Sequence, residues 1–238
     1  MALSFQTLRR IVTVHPTLGK MLLGCGVVSS VVYVASDVIA ALRYPGYHYI
    51  DQVVSELMAA GAPTRPLLVG LFTSYNVLVT AFGLGVWASM NHYRAGRATG
   101  ATLITYGIFG QVALLLSPMS MRGDEGTFLN SMHVPATAVI SLLTVAAMGF
   151  GAQLLGKRFR YYTYGTIVIL FAFGIAAGLQ GSKLAANQPT PWMGFEERAD
   201  IYVSMLWLAV LAVGLLRTQG VITLRRPAKP ILTRQRVK

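Results

Sequence analysis

A chain of 238 residues with only 12% charged side chains carries about half the charge of an ordinary soluble domain, and its mean hydropathy is high at +0.57. Apolar runs of about 20 residues recur from end to end, which excludes a soluble globular domain and predicts one all-α polytopic membrane domain. The formal net charge of +12 would suggest nucleic acid in a soluble protein; here its distribution matters more than its size, and no nucleic-acid partner is expected.

Six spans are predicted, in order Leu18 to Ala41, Pro66 to Met90, Thr99 to Ser117, Ser131 to Leu155, Tyr162 to Ser182 and Ala199 to Leu216. Their lengths suit a hydrocarbon core of about 30 Å, so residues 1–216 form a six-helix bundle. The first span is expected to remain uncleaved, because its polar lead and its apolar run are both longer than a signal peptide's. The connection after it, Tyr44 to Pro66, resembles neither neighbour. Pro45-Gly46 makes a turn, and Ile50, Val53, Val54, Leu57 and Met58 then recur on one helical face, with Asp51, Gln52, Ser55 and Glu56 opposite. The spacing predicts a short amphipathic helix from Ile50 to Ala60 lying across the bundle, since 11 residues reach only about 17 Å. In span five, Gly174 and Gly178 are spaced for close helix packing. Seven aromatic rings, among them Tyr44, Tyr93 and Trp192, fall at span ends as interfacial anchors.

The connectors alternate in charge. Arg9, Arg10 and Lys20, then Arg94 and Arg97, then Lys157, Arg158 and Arg160, then seven residues from Arg217 to Lys238 hold fifteen of the 20 basic side chains and no acid. The other side holds Arg43, Arg65, Arg122, Lys183, Arg198 and all eight acids. The positive-inside rule therefore places both termini in the cytoplasm and predicts an inner (plasma) membrane protein. Residues 217–238 form a basic cytoplasmic tail suited to anionic lipid headgroups. The one cysteine, Cys25, allows no intramolecular disulfide.

Position singles out a few outward residues. Asp37 follows an unbroken apolar run, and an ionisable group there faces a cavity or a partner, unless it snorkels to water. His133 opens span four two residues before Pro135, as a ligand, an acid–base group or a cap. Glu197-Arg198 heads span six as an ion pair of structure or of function. His133, Asp124, Ser55 and Glu56 are candidate catalytic residues; Asp37, Glu197, Arg198, His48 and Asp51 are candidate substrate-binding residues. His15 and His92 lie on the opposite side. No phosphate loop, HExxH, Cys-xx-Cys or Gly-x-Ser-x-Gly is present.

The segments YPGYHYIDQVVSELMAAGAP, then Asn76, then MRGDEGTFLNSMH and EERADIYVSMLW together resemble the family catalogued as domain of unknown function 998. That family comprises six-span bacterial and archaeal membrane proteins. Ser55-Glu56-Leu57 stands where the family has Ser-Asp-Leu, Asp124 and His133 match a later Asp–His pair, and Glu197-Arg198 matches an acidic–basic pair. The resemblance covers nearly the whole chain and implies fold and membrane location, but no activity. A weaker likeness of logic is to the alkaline ceramidase and adiponectin-receptor-like hydrolases, which imply a zinc held by His and Asp. Here His133, Asp124 and His48 are the possible ligands of a divalent metal, without a third outward His or a seventh span.

Three function classes follow. The first is a membrane-embedded hydrolase or transferase acting on a lipid or lipid-linked substrate. The second is a non-catalytic component binding a lipid or partner. The third, a transporter or channel with an acidic outer vestibule, ranks below them because the span middles carry no charge. Substrate and oligomeric state are not encoded in any recognisable pattern.

Overall fold

The computed structural model describes residues 16–123 and 128–224, and among these every regular element is helical. The helices are α1 Pro16–Arg43, α2 Val54–Leu57, α3 Arg65–Met90, α4 Arg94–Leu116, α5 Phe128–Gly151, α6 Lys157–Leu179, α7 Gly181–Ala185 and α8 Met193–Leu224. All but α2 and α7 are long and apolar enough to cross a membrane. The protein is a multi-pass integral membrane protein, as its apolar runs require. Inside hydrocarbon a chain cannot leave the helix without exposing unpaired backbone groups. Hence α4, α6 and α8 begin in polar sequence at Arg94, Lys157 and Met193, earlier than apolarity alone suggests. The helical part of the predicted tail is 217–224; the basic residues beyond, like Asp124, Glu125 and residues 1–15, lie outside the described residues.

The six long helices form a ring. Helix α1 packs against α3 and α8, α3 against α4, α4 against α5, and α6 against α8, while α5 and α6 meet only sparsely. Small residues set the tight contacts. A Cβ on Gly83 would lie 2.8 Å from the Ile104 nitrogen, and one on Gly100 would lie 2.7 Å from that of Trp87, so α3 and α4 touch backbone to backbone. Polar groups join the other pairs: Ser30 Oγ donates to the Met205 carbonyl (2.8 Å) and Trp207 Nε1 to Thr163 Oγ1 (2.9 Å). Leu23, Phe82, Val86, Leu211 and Leu215 fill the half of the bundle remote from α2. Large apolar residues such as Leu42, Leu142, Val168 and Leu179 are left exposed, as a lipid solvent allows.

In the half nearest α2 the ring is looser. No residue of α5 between 131 and 142 is buried, so this stretch lacks a packed neighbour on the α6 side. The Gly174–Gly178 face of α6 is not closely packed either. A Cβ on Gly178 would meet nothing within 4 Å, and one on Gly174 would meet only the Asp200 carboxylate, at 3.7 Å.

The connection between α1 and α3 folds over this looser end, but its helix is one turn, Val54–Leu57, and not the predicted 11 residues. Ile50, expected on the buried face, is half exposed, whereas Val53, Val54 and Leu57 are buried. Both truncations have a visible cause. Upstream, the Tyr49 and Gln52 carbonyls are taken by Arg198 Nη1 (2.7 and 2.8 Å), so they cannot support a helix through residues 53–56. Downstream, Thr64 Oγ1 and Arg65 Nη1 take the carbonyls of Leu57 (2.7 Å) and Met58 (2.6 Å). Gly61, at φ 97°, then turns the chain where a side chain would be strained.

Candidate functional site: a cavity under the α2 turn

Two buried ionic clusters fix the segment over the bundle. In the first, Arg198 of α8 forks onto Asp37 of α1, Nε to Oδ2 at 2.9 Å and Nη2 to Oδ1 at 3.0 Å. Both side chains are almost wholly buried, at 3% and 0% exposure. The remaining guanidinium N–H groups reach the Tyr47 hydroxyl (2.6 Å) and the carbonyls of Tyr49, Gln52 and Gly194. The Tyr49 ring lies 3.7 Å beneath the guanidinium carbon, and Tyr202 donates to Asp37 Oδ2 at 2.5 Å. Every donor of the cation thus has an acceptor, the condition under which a buried charge is tolerated. Burial pushes the Tyr47 and Tyr49 phenols above their ordinary values, Arg198 acting in the opposite sense on both. Tyr47 stays protonated and donates to the carbonyls of Gln52 and Val53, 2.8 Å from each.

In the second cluster, Arg122 forks onto Glu56, at 2.8 and 3.1 Å, and also reaches the Gln188 carbonyl and Thr190 Oγ1. Glu56 accepts from the Val53 amide at 2.9 Å, and Glu197 of α8 accepts from the Val54 amide and from Ser55 Oγ (3.3 Å). Two carboxylates therefore satisfy amides that the first turn of a helix leaves free. Asp51 Oδ1 accepts from the Trp192 amide (3.0 Å) and steadies a backbone held at φ 67°. A Cβ on Gly194 would lie 2.7 Å from the Tyr49 carbonyl oxygen; glycine there lets residues 49–52 rest on the start of α8.

Beneath this lid lies a cavity of about 220 Å³. Val54, Ser55, Met58 and Arg65 roof it, and the stripe Glu197, Asp200, Ile201, Ser204, Met205 forms the α8 wall. Tyr33, Phe72, Tyr75 and Tyr106 line the side of α1, α3 and α4, while His133, Thr137, Ser141 and Thr144 line that of α5. Thr137 and Ser141 are also exposed, so the cavity is reached from the side, past α5. His133 Nδ1 is 2.9 Å from the Ser117 carbonyl. That oxygen can only accept, which fixes the proton on Nδ1 and leaves Nε2 as a proton acceptor. Asp200 sits seven residues into α8, about 10 Å below its start. No described residue hydrogen-bonds its carboxylate or pairs with it, and its open side faces Gly174.

Of the residues the sequence singles out, Ser55, His133 and Glu197 share the cavity. Asp37 and Arg198 are clamped to each other beside it, and Glu56 and Asp51 tie the lid to its neighbouring loops. His48 is exposed on the lid and does not line the cavity. Asp124 lies outside the described residues. Among the described residues no three His, Cys, Asp or Glu side chains gather closely enough to hold a metal ion. Asp200 was not singled out by the sequence reading. Its signal was the three-residue spacing from Glu197, which puts both on one helical face.

No curated protein and no solved structure matches the chain. A family model does, over residues 27–214, from inside α1 to the far turns of α8 and so across all six spans and the cavity they enclose. The chain belongs to that family, described as Protein of unknown function (DUF998).

Proposed function

We propose that the protein is a membrane-embedded hydrolase or transferase that takes the polar end of a lipid or lipid-linked molecule into the cavity under α2. The observation that carries this reading is a mainly apolar cavity reached from the side, with the acceptor nitrogen of His133 among the polar groups of its wall. In a hydrolysis His133 Nε2 takes a proton from water as the water oxygen bonds to the substrate's electrophilic centre. It returns that proton to the leaving group as the old bond breaks. Ser55 and Glu197 shape the roof, and Arg198 acts by holding Asp37 and the lid. The distribution of basic residues supports an outward-facing lid in a plasma (inner) membrane, with both termini cytoplasmic. The tail from residue 217 suits anionic headgroups.

The test is conversion of a lipid extract by the purified protein in nanodiscs, followed by mass spectrometry. Wild type should consume a lipid species that His133→Ala binds without consuming. A second reading, non-catalytic lipid binding, is favoured by one observation: the Ser55 hydroxyl of the lid is already bonded to Glu197 of α8. Co-purified lipid with no conversion by either protein would establish it and refute the enzyme.

A further inference from the structure

We infer that the cavity takes a single-chain amphiphile bearing a protonated amine or quaternary ammonium group, with that cation on Asp200 and the chain leaving between α5 and α6 into the bilayer. The inference rests on the lipid-binding part of the reading above and names the ligand class.

The charge of the cavity gives the sign of the head group. Its wall carries two carboxylates, Glu197 and Asp200, against one arginine, Arg65, in the roof. Arg65 Nη1 donates to the Met58 carbonyl, and Glu197 is held by the Val54 amide and Ser55. Arg198, the next residue after Glu197, gives its guanidinium to Asp37 and is not in the cavity wall. Asp200 alone has no partner among the described residues. An unpaired carboxylate at the entry of a membrane span, facing a largely apolar cavity, is costly, and a cation supplied by the ligand lowers that cost. Anionic heads are disfavoured by both carboxylates. Tyr33, Phe72, Tyr75 and Tyr106 line the facing wall, and aromatic rings attract an ammonium in a second way.

The size and the seam give the rest of the ligand. About 220 Å³ is smaller than the ~300–1,000 Å³ that encloses a drug-sized molecule, so it holds a head and its first methylenes but not a diacyl lipid. The remainder must lie outside the ring. The way out is where α5 and α6 scarcely touch and residues 131–142 lack a packed neighbour on the α6 side. The Asp200 carboxylate stands on that side, with its open face toward Gly174. A chain leaving Asp200 past Gly174 meets no other side chain at that glycine, and beyond the sparse α5–α6 seam it meets lipid.

The experiment uses the full chain in nanodiscs and one photoreactive dodecylamine. Saturable labelling is competed with dodecylamine, dodecyltrimethylammonium, dodecanol or dodecanoate. The expected result is labelling in α5 or α6, with both cations competing about tenfold or more better than the alcohol, as a charge-assisted contact implies, and dodecanoate weakest. In Asp200→Asn, an isosteric change, amine and alcohol should compete equally. Equal competition by amine and alcohol in wild type would overturn the amine inference and leave the lipid-binding reading standing; that comparison needs no variant to fold. No saturable labelling of wild type, together with no co-purifying lipid, would overturn both. A cation preference that survives intact in a folded Asp200→Asn protein would refute Asp200 as its receptor.

Discussion

Replacing Arg198 separates two accounts of what holds the lid. If the residue mattered only as the counter-charge to Asp37, lysine would serve nearly as well. The geometry says otherwise. The guanidinium addresses six acceptors: both Asp37 oxygens, the Tyr47 hydroxyl and the carbonyls of Tyr49, Gln52 and Gly194. An ammonium has three protons and no fork, so at least three acceptors lose their donor. The Gln52 carbonyl keeps the Tyr47 hydroxyl and Asp37 Oδ2 keeps those of Tyr49 and Tyr202, so the cost is that of three lost hydrogen bonds at about 1 kcal/mol net each, which puts Arg198→Lys near ~3 kcal/mol. Arg198→Met also strips Asp37 of its cation; breaking a buried pair from one side alone costs about 3–5 kcal/mol, so this variant should be the worse of the two. Reversible unfolding in SDS, followed by the fluorescence of the three tryptophans, reads the difference. A lysine variant within about 1 kcal/mol of wild type would refute the argument, because that loss is the size of an ordinary surface ion pair.

Other outcomes follow from the same contacts. Gly194→Ala should displace residues 49–52 and expose the lid to protease, because the new Cβ would lie 2.8 Å from the Gln52 carbonyl carbon; unchanged proteolysis would mean that the lid does not rest there. Arg122→Ala leaves Glu56 with only the Gln52 side chain and the Val53 amide, and should lower stability by about 1–3 kcal/mol while the six helices remain, measured by circular dichroism and SDS unfolding. His133→Ala should abolish any lipid conversion without changing the SDS midpoint by more than about 1 kcal/mol, whereas His92→Ala should change neither; a large midpoint shift in the former would make His133 a structural cap. Cysteine introduced at Gln188 should label from outside intact cells and cysteine at Gln219 should not, and the reverse pattern would invert the orientation.

The spans were legible because membrane insertion acts on about 20 residues at once, so errors at single positions average out. The clamp was not legible, for a reason visible at Glu197-Arg198. Adjacent helical residues point to different sides. Glu197 therefore faces the cavity and the α2 turn, while Arg198 faces α1, 161 positions away in sequence at Asp37. Charge order alone made the two residues look like partners. The lid helix failed in a related way. Its apolar spacing correctly marked Val53, Val54 and Leu57 as buried, yet spacing records only which side chains prefer burial. It is silent on backbone carbonyls, and those of Tyr49 and Gln52 are spent on Arg198.

That diversion of carbonyls links stability to the cavity. A full helix from Ile50 to Ala60 would have satisfied its own backbone and could have lifted away from the bundle as a unit. The observed turn cannot, because its amides need Glu56 and Glu197 and its flanking carbonyls need Arg198. Opening it would bare a buried arginine and two carboxylates together, a cost of several kcal/mol. The roof is therefore a fixed part of the bundle, and a ligand has no low-cost path through it. Between α5 and α6 no comparable bonds must be broken, since among the described residues these helices share no hydrogen bond or ion pair. Access from the side follows from where the polar bonds were placed. On that argument, Arg198→Lys should loosen the lid without speeding ligand exchange, whereas a long bifunctional cross-linker joining cysteines placed on α5 near Ser141 and on the facing side of α6 should slow exchange and leave stability in place. Faster exchange in the lysine variant would show that ligands pass through the roof after all.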